Sequence, residues 1–418
     1  MGVTMFKNYF RDPISDTPLN LGIARVVFSL YLLWKIGSER WHRLSNYPEM
    51  RDGPDNLWWL LPEFIITNTE LVALIALLFV ALVAVGLYIR VTAFAASFLV
   101  CYLGIVRDYV DGSWSTDMFF AAGVLLLLFA LYDEQHHLSL DELRRYSREN
   151  IDSLNRRLTQ PEQTTYPATP MVVFLLAMGI IYFGAAVGKL INSGVGWVSP
   201  TNQGRYLYDH TQIGYIPEVQ EFAAQHELLL VLGGVGTLAA QLGLLTATVS
   251  GRFFSLSLLG LLGFHLATAI AMGPVFLYTA VFLLLFIDWE KFVSRLQPGE
   301  ELIVVYDGGC ILCARVMYLF KCTDVNDTIQ LYTQSDVPDH KYDIADARQT
   351  IYVFEDDHRY EDTDAFKRLC QQARLLSPLA LLLRVPGVSP VGKRIYWYLT
   401  DDVSQGVEPG EQSGRENR

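Results

Sequence analysis

The chain has 418 residues, 51% of them hydrophobic and only 18% charged, against about 25% charged in ordinary soluble domains. Its net charge is −12 and its mean hydropathy +0.25. These values exclude collagen, general disorder, a disulfide-rich secreted scaffold and nucleic-acid binding, for which an acidic chain offers no basic footprint.

The charges are also unevenly placed: none occurs in Leu71–Ile89, Gln163–Gly188, Leu228–Gly251 or Phe253–Ile287. A bilayer core about 30 Å thick takes roughly 20 apolar residues as a helix, so this pattern is that of an integral membrane protein. After a cytosolic segment, 1–18, which lacks the cleavage site of a signal peptide, eight spans are predicted. They are Leu19–Gly37, Leu71–Leu87, Val91–Val106, Met118–Tyr132, Pro170–Ile191, Leu228–Val249, Phe253–Ala271 and Val275–Trp289. Phe253–Ile287 is too long for one crossing, and Met272-Gly273-Pro274 supplies a turn that makes it a hairpin. Placing the N-terminus inside puts eleven loop Lys and Arg inside and five outside, which satisfies the positive-inside rule. Both termini are then cytosolic in a multi-pass protein of the plasma membrane.

Ionisable residues within spans are costly and mark functional candidates. Arg25, near the inner end of the first span, has room to snorkel. Lys189 follows Gly184, Ala185, Ala186 and Gly188, a face small enough for close helix packing. His265 lies two-thirds along the seventh span, in the same outer half of the bilayer as Lys189. A lysine in an apolar pocket is a usable base, and a lone histidine there can equally bond to a neighbouring helix. Trp197, Tyr206 and Tyr208 read as part of an outer aromatic belt. The Arg144–Arg157 cluster reads either as an interfacial helix on anionic headgroups or as a plain solvated helix.

Beyond Trp289 the texture changes. Residues 300–418 carry 20 acidic and 13 basic side chains and no stretch able to span. Short apolar runs at Leu302–Tyr306, Thr328–Thr333 and Thr350–Glu355 predict strands. Helices are predicted over Ile311–Lys321, Asp364–Leu375 and Arg394–Leu399, and residues 403–418 are polar and expected to be disordered. In Tyr306-Asp307-Gly308-Gly309-Cys310-Ile311-Leu312-Cys313, two cysteines three apart open a helix directly after a strand. A helix N-terminus favours an anion, so Cys310 is the expected attacking thiolate and Cys313, one turn on, the resolving thiol. The alternatives are a zinc knuckle, for which Cys322, His340, His358 and Cys370 have no ligand-like spacing, and two inert core cysteines. Cys101 reads as a core residue, whereas Cys322 and Cys370 stay open as redox partners or core residues.

This stretch resembles the DCC family of thiol-disulfide oxidoreductases, named for a DGxCxxC motif that Asp307, Gly308, Cys310 and Cys313 match, over residues 300–400. The resemblance implies a thioredoxin-like α/β domain cycling between dithiol and disulfide, though no proline precedes Thr350–Glu355, where that fold carries its cis-proline. Tyr182-Phe183, Gly188-Lys189-Leu190, Trp197 and Phe264-His265 look like the horizontally transferred transmembrane domain of the vitamin K-dependent γ-carboxylase family, over residues 19–291. That likeness implies Lys189 as a base and His265 in the same cavity. The large extra-cytoplasmic region of the carboxylase is absent, so glutamate carboxylation does not carry over. The expected architecture is therefore a polytopic α-helical membrane domain of about eight spans followed by a small thioredoxin-like α/β domain. Its expected partners are the bilayer and a protein thiol or a quinone. Two alternatives are a carboxylase-like membrane enzyme using Lys189 with an accessory redox tail, and a non-enzymatic transporter or immunity-type protein.

Overall fold

The computed structural model describes residues 15–39, 41, 68–111, 116–131, 137–146, 150–159, 166–167, 169–209, 216–272, 277–337, 351–356 and 358–382. Helices in the first half are α1 Pro18–Ser38, α2 Thr69–Val85, α3 Ile89–Asp111, α4 Thr116–Leu131, α5 Leu140–Tyr146, α6 Ile151–Thr159 and α7 Thr169–Ser193. The second half holds α8 Pro200–Asp209, α9 Pro217–Ala224, α10 Glu227–Ser250, α11 Phe254–Met272, α12 Leu277–Leu284 and α13 Trp289–Leu296. It ends with α14 Ile311–Thr323, α15 Asp362–Gln372 and α16 Ser377–Leu382. The strands are β1 Ser15–Asp16, β2 Tyr166–Pro167, β3 Leu302–Tyr306, β4 Ile329–Thr333, β5 Tyr352–Glu355 and β6 His358–Glu361. The chain divides into two compact units, Met1–His136 with Thr165–Asp288, and His137–Thr164 with Trp289–Arg418.

The described residues of the first unit are helical apart from the β1–β2 ribbon and short connections. Thr17 caps α1 by accepting from the Asn20 amide at 3.3 Å, with Pro18 at the first helical position. Gly86 and Gly251 end α2 and α10 in the left-handed conformation. Where α3 meets α4, Gly123 lets the helices close, because a Cβ there would overlap the Cys101 sulfur; Ser97 Oγ donates to the Gly123 carbonyl at 2.7 Å. Phe28, Phe129, Phe174 and Phe282 meet in the core, while outward faces carry Leu74, Leu78, Phe98, Ile180, Leu232 and Leu256, all exposed. A soluble protein does not leave so much large apolar surface uncovered. Among the described residues five helices are long and apolar enough to cross a membrane: Pro18–Ser38, Ile89–Arg107, Thr169–Val198, Glu227–Ser250 and Phe254–Ala271. Thr69–Val85 and Phe119–Leu131 are apolar but shorter.

Three expectations change here. The eighth predicted span is not one helix: α12 stops at Leu284, and the amphipathic α13 begins at Trp289, where charged residues interrupt the apolar run. Gly273 and Pro274 lie outside the described residues. Arg25 does not snorkel. It is fully buried and its guanidinium donates to the carbonyls of Val83 and Ala84, closing the C-terminal end of α2. The small face of α7 packs only in part: Ala186 is fully buried, whereas an added Cβ at Gly184 or Gly188 meets nothing within 4 Å among the described residues, and the helix makes a tight contact at Gly179, against Leu245.

In the second unit the sheet order is β4-β3-β5-β6. β3 and β4 are parallel with α14 crossing between them, β3 and β5 are antiparallel, and β5 and β6 form a hairpin. Alternation along β3 sends Leu302, Val304 and Tyr306 to one face and Ile303 and Val305 to the other. The first face packs on α14 and α15, and also on Leu154 and Leu158 of α6. The arginine-rich connection therefore forms two short helices, α5 and α6, and the apolar side of α6 is buried in this unit's core rather than resting on headgroups or in solvent. Asp324 ties the turn before β4, accepting from the Thr328 and Ile329 amides at 3.0 and 2.7 Å. The predicted helix Arg394–Leu399 and the polar end 403–418 lie outside the described residues.

Candidate redox site

β3 ends at the buried Tyr306, and the chain turns through Asp307-Gly308-Gly309 before α14 begins. The Cys310 amide donates to the Asp307 carbonyl at 3.2 Å, closing the turn, and the Asp307 side chain accepts from the Gly309 amide at 2.8 Å. Gly308 is required sterically: a Cβ there would stand 2.9 Å from both Cβ and Cγ2 of Thr333 on β4. The motif's two non-cysteine positions thus have separate tasks, Asp307 bonding the turn and Gly308 letting it lie against the sheet.

Cys310 is the N-cap of α14, and its sulfur accepts from the Cys313 amide at 3.2 Å. The two cysteines are not joined in a disulfide, and both are buried, at 6% and 4% exposure. A hydrogen bond from the Cys313 side chain, joined by the amides of Cys313 and Leu312, brings the Cys310 thiol down to about 7, against the opposing effects of burial and the Asp307 charge. The other two thiols of this unit are different. Burial pushes Cys370 up to about 11 and Cys322 well above the usual thiol range, which leaves them protonated core residues. Among the described residues no three His, Cys, Asp or Glu gather as a metal set; His340 lies outside them.

Two helices from the 137–164 connection border the motif, which local sequence pattern does not signal. Asn155 of α6 donates through Nδ2 to the Gly308 carbonyl and accepts through Oδ1 from the Tyr306 hydroxyl, each at 2.9 Å. Glu142 of α5, itself buried, accepts from the Tyr318 hydroxyl of α14 at 2.8 Å. A cleft of about 560 Å³ opens beside the turn, lined by α6, by Asp307, Gly308 and Gly309, and by the Thr333–Asp336 end of β4. Its charged residues are Asp152, Asp307 and Asp336 against Arg156, a polar and net acidic lining.

The candidates in the first unit form two pairs. Tyr182 and His265, both buried, share a hydrogen bond of 2.6 Å between the hydroxyl and Nε2. Lys189 is half-buried, bonded back to the Ala185 carbonyl at 3.3 Å, and its Nζ lies 5.5 Å from the ring of the buried Trp197. Lys189 follows Tyr182 by seven residues on α7, about 10 Å along one face.

Residues 304–402 match the family model of the DCC1-like thiol-disulfide oxidoreductases, a stretch that includes Cys310, Cys313 and the whole of the described sheet beyond Ile303. No curated protein and no solved structure matches the chain. The chain thus joins helices long and apolar enough to cross a membrane to a stretch similar to the DCC1-like thiol-disulfide oxidoreductases. The match begins beyond the apolar helices and does not extend to the likeness with the carboxylase family.

Proposed function

We propose that the chain is a membrane-anchored thiol-disulfide oxidoreductase in which Cys310 attacks and Cys313 resolves. The Cys310 thiolate attacks one sulfur of a substrate disulfide, forming a mixed disulfide and expelling the other sulfur as a thiolate that takes up a proton. The Cys313 thiolate then attacks the Cys310 sulfur, releases the second substrate thiol and closes a Cys310–Cys313 disulfide. Two electrons pass from the protein dithiol to the substrate, and a dithiol protein of lower potential restores the pair by the same exchange. The observation that carries this reading is the Cys313 amide donating to the Cys310 sulfur at the start of a helix. The strand order, with β5 antiparallel to β3, supports a thioredoxin-like fold. Ile351, not proline, precedes β5, so the reading extends to dithiol chemistry and not to a proline-bordered peptide groove. The polar cleft beside the turn suits a hydrophilic disulfide better than a quinone; a quinone, if used, belongs among the apolar helices. The test is disulfide exchange by the purified full-length protein with a peptide disulfide. Cys310→Ser should abolish exchange and Cys313→Ser should trap a mixed disulfide on Cys310. Exchange persisting in the double variant would sink the reading.

The buried Tyr182–His265 pair and the Lys189–Trp197 contact favour a second reading, in which the apolar half carries base chemistry of its own through Lys189. A bound small molecule identified by native mass spectrometry, and lost in Lys189→Ala without loss of thiol exchange, supports it. Retention of that molecule by the variant removes Lys189 from any such site.

A further inference from the structure

We propose that Asn155 is a positioning residue of the redox site, so that the reactivity of the Cys310 thiol is set in part by a helix from the connection between two apolar helices. The inference rests on the redox reading of Cys310 and Cys313.

The amide of Asn155 is used at both ends, by the Gly308 carbonyl and the Tyr306 hydroxyl. These two partners bracket Asp307, the residue whose carbonyl closes the turn onto the Cys310 amide. On its other side the turn presses on Thr333, and a Cβ built on Gly308 would sit 3.5 Å from Asn155 Nδ2. The Asp307–Cys310 turn is thus held between β4 and α6. The bond from the Cys313 amide to the Cys310 sulfur depends on where that turn delivers Cys310, because a sulfur displaced by a few tenths of an ångström loses alignment with the helix amides. Leu154 and Leu158, buried on either side of Asn155 in sequence, seat α6 in the core of the unit. α6 ends at Thr159 and the apolar α7 begins at Thr169, only ten residues on.

The experiment uses the full-length protein in detergent or nanodiscs and follows alkylation of Cys310 by iodoacetamide against pH, by peptide mass spectrometry. Wild type should alkylate with a midpoint in the neutral range, and Asn155→Ala should move that midpoint alkaline and slow alkylation at pH 7 roughly three- to tenfold. Leu158→Ala loosens the seat of α6 without touching the turn, and should lower Tm while leaving most of the midpoint in place. An unmoved midpoint in a folded Asn155→Ala protein overturns the proposal. So do equal midpoint shifts in the two variants at equal loss of Tm, since helix docking alone would then account for them. A wild-type Cys310 that titrates in the usual thiol range overturns the redox reading instead, and can be told apart because it needs no variant.

Discussion

The amide of Cys313 donates to the sulfur of Cys310 across 3.2 Å, and the helix that supplies the amide begins at the residue that supplies the sulfur. The first turn of a helix has amides without intrahelical acceptors. Here one of them is satisfied by the group whose charge the chemistry requires. The same side chain serves as cap and nucleophile, so the geometry that stabilises α14 also favours the thiolate.

A pH dependence follows. Cys310 is held near 7, below the usual thiol range, by the Cys313 thiol and the helix amides. Its alkylation rate should rise through pH 7 and level off by about pH 8.5, whereas an ordinary thiol is only then half ionised. The folded state has the lower value, so the thiolate's contribution to stability is full above the unfolded thiol's range and is lost as pH falls toward 7. Denaturant midpoints measured between pH 6.5 and 9 should climb in wild type relative to Cys310→Ser. Parallel curves would show that the sulfur is not stabilised as an anion.

Gly308 is the motif position where the backbone has no slack. Its Cβ would come within 2.9 Å of Thr333 Cβ and Cγ2, atoms of a buried side chain on a paired strand that cannot move aside cheaply. Gly308→Ala should cost roughly 1–3 kcal/mol, the range for overpacking a closed site. It should also slow Cys310 alkylation at neutral pH, because the displaced turn carries the cysteine with it. Gly309→Ala meets only the Asp307 carboxylate, at 3.3 Å, and should be milder. Thermal melts that rank the two variants the other way would contradict this assignment.

The sequence made the centre of the redox unit legible and its border illegible, for physical reasons. Leu302–Tyr306 announces itself because a strand buried on both faces is a continuous apolar run, and Ile329–Thr333 because buried Ile329 and Leu331 alternate with half-buried Gln330 and Tyr332. The Cys310–Cys313 motif follows from spacing alone. His358–Glu361 is a strand defined by its pairing with β5: only Tyr360 packs on the core and the other three side chains are exposed, so no apolar periodicity betrays it. Asn155 gives no local signal at all: its partners lie about 150 residues away, and long-range contacts leave no trace in local pattern. In the apolar half, helix existence was plain and side-chain partners were not. Arg25 reads from composition as a snorkelling cation, yet carbonyls at the end of α2 take it in.

Acid should loosen the redox unit through one ion pair. Glu355, at the end of β5, is held down to about 2 mainly by its hydrogen bonds to Arg368 of α15, including 2.7 Å from Nε to Oε2. The depressed value means that the pair contributes in full above the usual carboxylate range. That contribution is lost as pH falls from there through about 2. Arg368→Ala should destabilise the unit by roughly 2 kcal/mol at pH 7, in keeping with charge-assisted hydrogen bonds. The gap between variant and wild type should shrink below pH 4. A gap that persists unchanged at pH 2.5 would mean that Arg368 acts through packing alone.

Connectivity makes a prediction about topology. Residues 137–164 and the chain from Trp289 onward belong to one compact unit, with Leu154 and Leu158 in the core that also holds Leu302 and Met317. Two polar segments that share a core occupy the same side of a membrane, so the chain between them must cross an even number of times. That stretch contains three helices long enough to span, Thr169–Val198, Glu227–Ser250 and Phe254–Ala271. Three is odd, and the remaining crossing falls to the apolar residues around α12, too short as a helix to span unaided and continued by apolar chain on both sides. Counting the two shorter apolar helices, α2 and α4, as crossings as well predicts four before residue 137, with the N-terminus on that same side. Reporters inserted between Thr159 and Thr165 and at Pro298 should register one compartment, the cytosol if the count of loop arginines and lysines governs orientation. Opposite compartments would exclude a redox unit built from both segments and, with it, any role for Asn155 at the Cys310 turn.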